Sequence, residues 1–99
     1  MQNHLNIDLD LFRQPKVQKL ESELGSKAVV FYLKLKLLLA QAKDYKLVKK
    51  YWLIAQNLEL ELKFVQSVIE DYDLFVIGDH YFWSKNVVKK MTETNKNII

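Results

Sequence analysis

The chain has 99 residues, of which 15 are basic and 12 are acidic, so its formal net charge is only +3 at pH 7. Arg13 is the single arginine, so the guanidinium fork that reads guanine in DNA is almost absent, and the lack of cysteine excludes disulfides, thiol catalysis and cysteine-ligated zinc. A hydrophobic share of 49% is enough to bury one core in one domain, which excludes general disorder.

The first predicted element is an extended segment over residues 5–12, where apolar and other residues alternate with the period of a strand. Its Asp8 and Asp10 share one face and, with His4, form the only candidate metal group. A metal site needs a third or fourth fixed ligand, and the sequence offers none, so we expect no metal and no metal ligand. We expect the two carboxylates to meet backbone donors or water instead.

Two helices are predicted next. Pro15 suits the first turn of a helix over residues 15–24, and Gly25 suits its C-terminal cap. Ser26 is predicted to cap a second helix, in which 12 of the 15 residues from 28 to 42 are apolar. Such a helix must be packed on two sides. We expect Lys27, Lys34 and Gln41 to form a narrow solvent-exposed edge, with Lys36 near the opposite side. The stretch is shorter than the roughly 20 residues that cross a bilayer, so we expect no membrane span.

The remaining predicted elements are two short helices, a β-hairpin and a last helix, preceded by a brief strand. A brief strand is expected within residues 43–50, two short helices over 51–58 and 62–72, a hairpin from 74–77 and 80–83 around a two-residue Gly78-Asp79 turn, and a last helix capped by Ser84. This order indicates a mainly helical α+β winged helix, in which a helix-turn-helix is followed by a short β-hairpin wing. We expect one domain over residues 1–91 and a frayed polar tail over 92–99.

The residues also resemble a known family. The opening run at 8–12, residues 15–17, Leu20 and Gly25 are similar to the first motif of the N-terminal domain of bacterial and phage replisome-organiser-like, DnaD-like proteins. The apolar helix, the small helix-turn-helix and the Trp83-Ser84 step before residues 89–91 continue the resemblance, which covers about 5–91. It implies a winged-helix module of a replication-associated protein that binds DNA or assembles with itself and with replication partners.

The charge distribution argues against conventional reading of the major groove. The window 57–79 holds one lysine and six acidic residues, and carboxylates near phosphates oppose the counterion release that drives non-specific binding. We therefore expect DNA to be held mainly by lysine–phosphate contacts beside the helix-turn-helix. The predicted DNA-binding residues are Lys46, Lys49, Lys50, Lys63, Gln66, Ser67, Lys85, Lys89 and Lys90. The alternative for these lysines is a solvated surface that keeps the domain soluble.

A second functional class is a protein-interaction or oligomerisation module without DNA binding of its own. Its predicted partner-binding residues are Trp52, Tyr81 and Trp83, and the alternative for these rings is that they seal the core. With two glycines 53 positions apart, neither a Rossmann nor a P-loop motif can be written. Neither His4 nor His80 has a catalytic constellation around it, so we expect no catalytic residue, no cofactor, no small-molecule substrate and a cytoplasmic location.

Overall fold

The structure, a computed structural model, describes residues 13–97, and within them the chain forms five α-helices and a small three-stranded antiparallel sheet. The helices are α1 (Pro15–Leu24), α2 (Ser26–Gln41), α3 (Tyr51–Leu58), α4 (Leu62–Glu70) and α5 (Lys85–Asn97), and the strands are β1 (Lys46–Val48), β2 (Val76–Ile77) and β3 (Tyr81–Trp83). This mainly helical architecture confirms the predicted α+β class. The predicted extended segment and the His4, Asp8 and Asp10 group lie outside the described residues.

The junction between α1 and α2 follows one prediction and corrects another. Gly25 has a φ of +87°, which a residue with a side chain adopts only with strain, and its N–H donates to Glu21 O at 2.8 Å to end α1. The same glycine is also the N-cap of α2. Ser26 is therefore already the first helical residue, and the prediction that it caps α2 is wrong. Its hydroxyl instead donates to the Glu21 carboxylate at 3.4 Å.

The core is organised around α2. Phe31, Leu35 and Leu39 of this helix are at most 2% exposed, and they belong to one hydrophobic cluster with buried residues of every other helix. Those residues are Val17 and Leu20 of α1, Ala55 of α3, Val65, Val68 and Ile69 of α4, and Val87 of α5. Lys27, Lys34 and Gln41 are exposed along one edge of α2, as predicted. Lys36 is buried, with 8% of its surface exposed. None of the helices among residues 13–97 is long and apolar enough to span a membrane.

A chain of edge-to-face rings connects the helical core to the sheet. Tyr32 contacts Phe75 at 5.6 Å between ring centroids, and Phe75 contacts Phe82 at 5.5 Å. Phe82 in turn contacts Tyr51, the first residue of α3, at 5.8 Å. Phe82 is fully buried. The centre of β3 is therefore fixed against α2 and α3 through aromatic contacts, each of which adds to its area burial.

The short helices α3 and α4 are joined by residues 59–61, as the spacing predicts. Glu59 ends α3 in the left-handed conformation, with φ 56° and ψ 48°, and its N–H donates back into the last turn. Leu60 N–H also donates to Ala55 O at 2.8 Å. α4 ends at Glu70, earlier than the predicted 72, and the chain leaves it through residues 71–75 toward β2.

The hairpin differs from its prediction in the turn. Residues 78–80 separate β2 from β3, with Gly78 N–H donating to Tyr81 O at 2.8 Å, so the predicted two-residue Gly78-Asp79 turn is wrong. Gly78 does not have a positive φ. A Cβ at this position would instead lie 3.0 Å from Cζ3 of Trp83. The glycine is needed because the indole ring occupies the space of a side chain, not because of a special backbone conformation.

The last helix begins where the sequence predicts. The Ser84 hydroxyl accepts a hydrogen bond from Val87 N–H at 3.3 Å, which is the N-cap contact expected of this residue. α5 then continues to Asn97, beyond residue 91.

Candidate nucleic-acid interface

One face of the sheet is turned away from the core. Phe82 and its β1 partner Leu47 point inward, so the flanking residues of β3 and their cross-strand partners lie on the opposite side. We call this surface the outer sheet face, and it consists of Lys46, Val48, Val76, Tyr81 and Trp83. Tyr81 is 44% exposed and Val48 46% exposed. Apolar and aromatic surface is therefore available to a ligand along β1 and β3.

A lysine and two rings form the centre of the outer sheet face. Lys46 Nζ lies 5.6 Å from the Tyr81 ring centroid and 5.7 Å from the Trp83 ring centroid. Both distances are within the range of cation–π attraction. The Trp83 ring also lies over Gly78, where an added Cβ would be 3.0 Å from Cζ3.

The other two lysines of this segment differ from each other. Lys49 Nζ donates to Gly78 O at 3.0 Å, and its backbone N–H donates to His80 O at 2.9 Å. Lys49 therefore ties the end of β1 to the β2–β3 turn and is half-buried. Lys50 is exposed directly before α3. Lys46 and Lys50, in contrast to Lys49, are exposed.

The outer surface of α4 carries the predicted base-reading residues beside acidic ones. Lys63 and Gln66 are exposed and Ser67 is half-buried. Glu70 of the same helix accepts a hydrogen bond from Tyr51 Oη at 2.8 Å. Burial, followed by this bond to the Glu70 carboxylate, raises the pKa of Tyr51, so its hydroxyl remains a donor at neutral pH. Glu70 therefore connects α3 to α4 through this hydrogen bond. Its negative charge lies on the same helix as Gln66 and Ser67, the residues predicted to contact bases.

The three predicted DNA-binding lysines of α5 lie in two different environments. Lys85 and Lys89 line a cavity that also includes Lys16 of α1. Lys90 is half-buried and acts on Lys36 of α2, whose pKa is lowered by burial and then by the Lys90 charge. The nine predicted DNA-binding residues therefore do not form one continuous set on a single element. The cavity borders the outer sheet face, because Val76 belongs to both.

The predicted partner-binding aromatics are exposed to different degrees. Trp52 on α3 is 55% exposed and lies beside Leu53, which is 39% exposed. Tyr81 is exposed and Trp83 is half-buried. Phe75 and Phe82, which belong to the same aromatic runs in the sequence, are in the core. Whether each ring is exposed or buried therefore depends on the side of the helix or strand from which it projects.

Sequence reasoning missed the residues that complete the cavity. Tyr32 is part of an apolar helix, and Lys16 and Asp73 are 57 positions apart, so no local pattern connects them. In the structure Lys16 Nζ donates to Asp73 Oδ2 at 2.7 Å and to Asp73 O at 2.9 Å. The described residues contain no group of three or more histidine, aspartate or glutamate side chains placed to hold a metal ion.

A family model described as "Lin1244/Lin1753-like, N-terminal" matches residues 4–87. No curated protein and no solved structure matches the chain.

Proposed function

The chain belongs to the Lin1244/Lin1753-like, N-terminal family, and we propose that it is a non-enzymatic winged-helix module that binds single-stranded DNA through its outer sheet face. The observation that carries the proposal is the position of Lys46 between Tyr81 and Trp83 on that face. Surfaces that hold single strands combine cations along the backbone with rings on which bases stack.

The winged-helix assignment is supported by the element order. In this assignment α3 and α4 are the helix-turn-helix, β2 and β3 are the wing, and β1 completes the sheet. The replication context of the proposal comes from the resemblance of residues 5–91 to DnaD-like N-terminal domains. On this basis the module acts where DNA strands are separated.

The electrostatics favour a single strand over the duplex groove. A recognition helix in the major groove would bring Glu70 and Asp71, both exposed at the end of α4, toward phosphates. The outer sheet face has the opposite character, with Lys46 exposed beside the rings and Lys50 exposed two residues after the end of β1. We assign the phosphate contacts to these two lysines and the stacking to Tyr81 and Trp83. Lys49 supports the turn and contributes its charge from a half-buried position.

The test is binding of a fluorescently labelled deoxythymidine oligonucleotide, measured by anisotropy at several salt concentrations. We expect single strands to bind more tightly than a duplex of equal length. The K46Q/K50Q variant should reduce the slope of log affinity against log salt by about 1.4, since each phosphate contact on a single strand contributes about 0.7. Tyr81→Ala should weaken binding roughly tenfold at every salt concentration, because a stacked base is worth about 1–3 kcal/mol.

A matched control is the K19Q/K34Q variant, which removes two exposed lysines from α1 and α2 and therefore the same net charge. It should keep the wild-type salt slope within about 0.3. Absence of binding at low salt, or equal losses in the two double variants, would overturn the proposal.

A second candidate function is self-association or binding of a replication partner. It is favoured by the adjacent exposure of Trp52 and Leu53 on α3, which are 55% and 39% exposed. Sedimentation velocity at several concentrations tests self-association. A larger species that Trp52→Ser converts to monomer would support this function, and a strict monomer that binds DNA would exclude it as the main role.

A further inference from the structure

The exposed side of α3 carries two apolar and two amide side chains. Trp52 is 55% exposed and Leu53 is 39% exposed, and Gln56 and Asn57 are exposed one turn further along the helix. Residues four positions apart lie on the same side of a helix, so these four side chains form one surface, which we call the outer α3 face. None of the four side chains makes a hydrogen bond or ring contact within the described part of the chain.

The inner side of α3 is already packed. Tyr51, the first residue of the helix, contacts the Phe82 ring at 5.8 Å between centroids and donates its hydroxyl hydrogen to Glu70 at 2.8 Å. Ala55, one turn later, is buried. The helix therefore holds the outer α3 face in a fixed position, and binding of a partner there requires no rearrangement of the core.

The charges at the two ends of α3 have the sign that the helix itself disfavours. Lys50 precedes the first residue and Glu59 follows the last, and both side chains are exposed. A helix carries a partial positive charge at its N-terminus and a partial negative charge at its C-terminus. Each side chain therefore repels the helix end beside it, and neither forms an ion pair within residues 13–97. Both charges are available to a partner.

We propose that the outer α3 face is the interface of a homodimer, in which two copies of α3 pack antiparallel about a two-fold axis. The proposal rests on the second candidate function, self-association through Trp52 and Leu53, and specifies its geometry. In this arrangement Lys50 of each copy meets Glu59 of the other, because a two-fold axis repeats every contact. The positive end of each helix also lies beside the negative end of its neighbour. The apolar side chains of the two copies meet between these ion pairs.

The charges on the face favour a second copy over other partners. Lys50 and Glu59 lie the same number of residues from the middle of the eight-residue helix, so the face is its own complement when it is turned by 180°. A nucleic acid would satisfy the lysine and be repelled by the carboxylate. One short helix per copy gives a small interface, and small interfaces belong to weak complexes, so we expect a Kd on the order of 100 µM.

The dimer shares one residue with the proposed DNA contacts. Lys50 cannot pair with Glu59 and with a phosphate at the same time, so a second copy and single-stranded DNA compete for this side chain. The helix–helix contacts do not include Lys46, Tyr81 or Trp83, which are the centre of the outer sheet face.

The first experiment is sedimentation equilibrium of the full chain from about 10 µM to 1 mM. We expect a monomer–dimer equilibrium. Lys50→Glu alone, or Glu59→Lys alone, places like charges at both ends of the helix pair and should raise the Kd at least roughly tenfold. The double variant K50E/E59K exchanges the two charges and should return the Kd to the wild-type value.

A mixture of the two single variants provides the second measurement. In a dimer of one K50E chain and one E59K chain, opposite charges meet again at both ends, so the mixture should associate more tightly than either variant alone. The matched control is a mixture of K19E and E93K, which carry the same changes of charge at exposed positions outside α3. Each control variant should dimerise as the wild type does, and mixing them should give no gain. Circular dichroism shows that every variant is folded.

The possible results separate this geometry from self-association in general. A chain that stays monomeric at 1 mM would overturn the proposal together with the second candidate function, and would leave the face to a different protein. A dimer that Trp52→Ser dissociates but K50E leaves unchanged would overturn the antiparallel arrangement alone. Equal losses in K19E and K50E would also overturn it, since only net charge would then matter.

Discussion

Gly78→Ala should destabilise the protein through a side-chain collision. The added Cβ would lie 3.0 Å from Trp83 Cζ3, 3.2 Å from Tyr81 O and 3.3 Å from Trp83 Cη2. Overpacking of this kind costs about 1–3 kcal/mol, whereas the reduced freedom of the unfolded chain returns about 0.4–1 kcal/mol. Because Gly78 has no positive φ, backbone strain contributes nothing. The expected net loss in the free energy of unfolding is about 1 kcal/mol.

The assay is urea and thermal denaturation followed by circular dichroism. A loss of about 1 kcal/mol lowers Tm by roughly 4–8 °C in a domain of this size. The control is the same substitution in a Trp83→Leu background, which removes two of the three close contacts. We expect a coupling of at least about 0.5 kcal/mol between the two positions. A Gly78→Ala protein as stable as the wild type, or strictly additive effects, would refute the packing of Trp83 over Gly78.

Three further predictions concern local contacts. Ser84→Ala removes the acceptor of Val87 N–H and should cost about 1 kcal/mol in urea denaturation, while Ser84→Asp should retain most of the stability. Glu59→Gly should stabilise the protein by up to about 1 kcal/mol because position 59 is left-handed; a similar gain from Glu59→Ala would exclude this cause. Lys36 has a lowered pKa in the folded state, so the unfolded chain binds its proton more tightly and stability rises with pH between that pKa and the ordinary lysine value of 10.5. Lys36→Met should therefore raise Tm at pH 7 and flatten this alkaline rise, and an unchanged melting profile from pH 7 to 10 would contradict the burial of the charge.

Much of the secondary structure could be predicted from residues that are adjacent or nearly adjacent in the sequence. Pro15 and Gly25 mark both ends of α1, and Ser84 marks the start of α5, because each acts through backbone groups within a few residues. Ser26 shows the limit of such signals. A serine before an apolar run is a typical cap, but here Gly25 already serves as the boundary of both helices.

The functional surfaces were less predictable. The aromatic run at residues 81–83 divides into an outward ring, a buried ring and a partly covered ring, and the division follows from pairing with β1 and β2. Lysines 85, 89 and 90 are close in sequence but face two environments. Sequence composition shows which chemical groups are present, whereas the register of the strands shows which of them share a surface.

Local interactions in the chain are thus sufficient for its helices, its short strands and its α+β class. They act over a few residues and depend on periodicity, capping and turn residues. The outer sheet face and the cavity lined by Lys16, Tyr32 and Lys85 depend on packing between distant segments. Gly78 is small because Trp83 packs over it, and the cavity exists because Lys16, Tyr32 and Lys85 approach one another only after α1, α2 and α5 have packed. Such contacts leave no periodic mark in the sequence, since their partners are tens of residues apart.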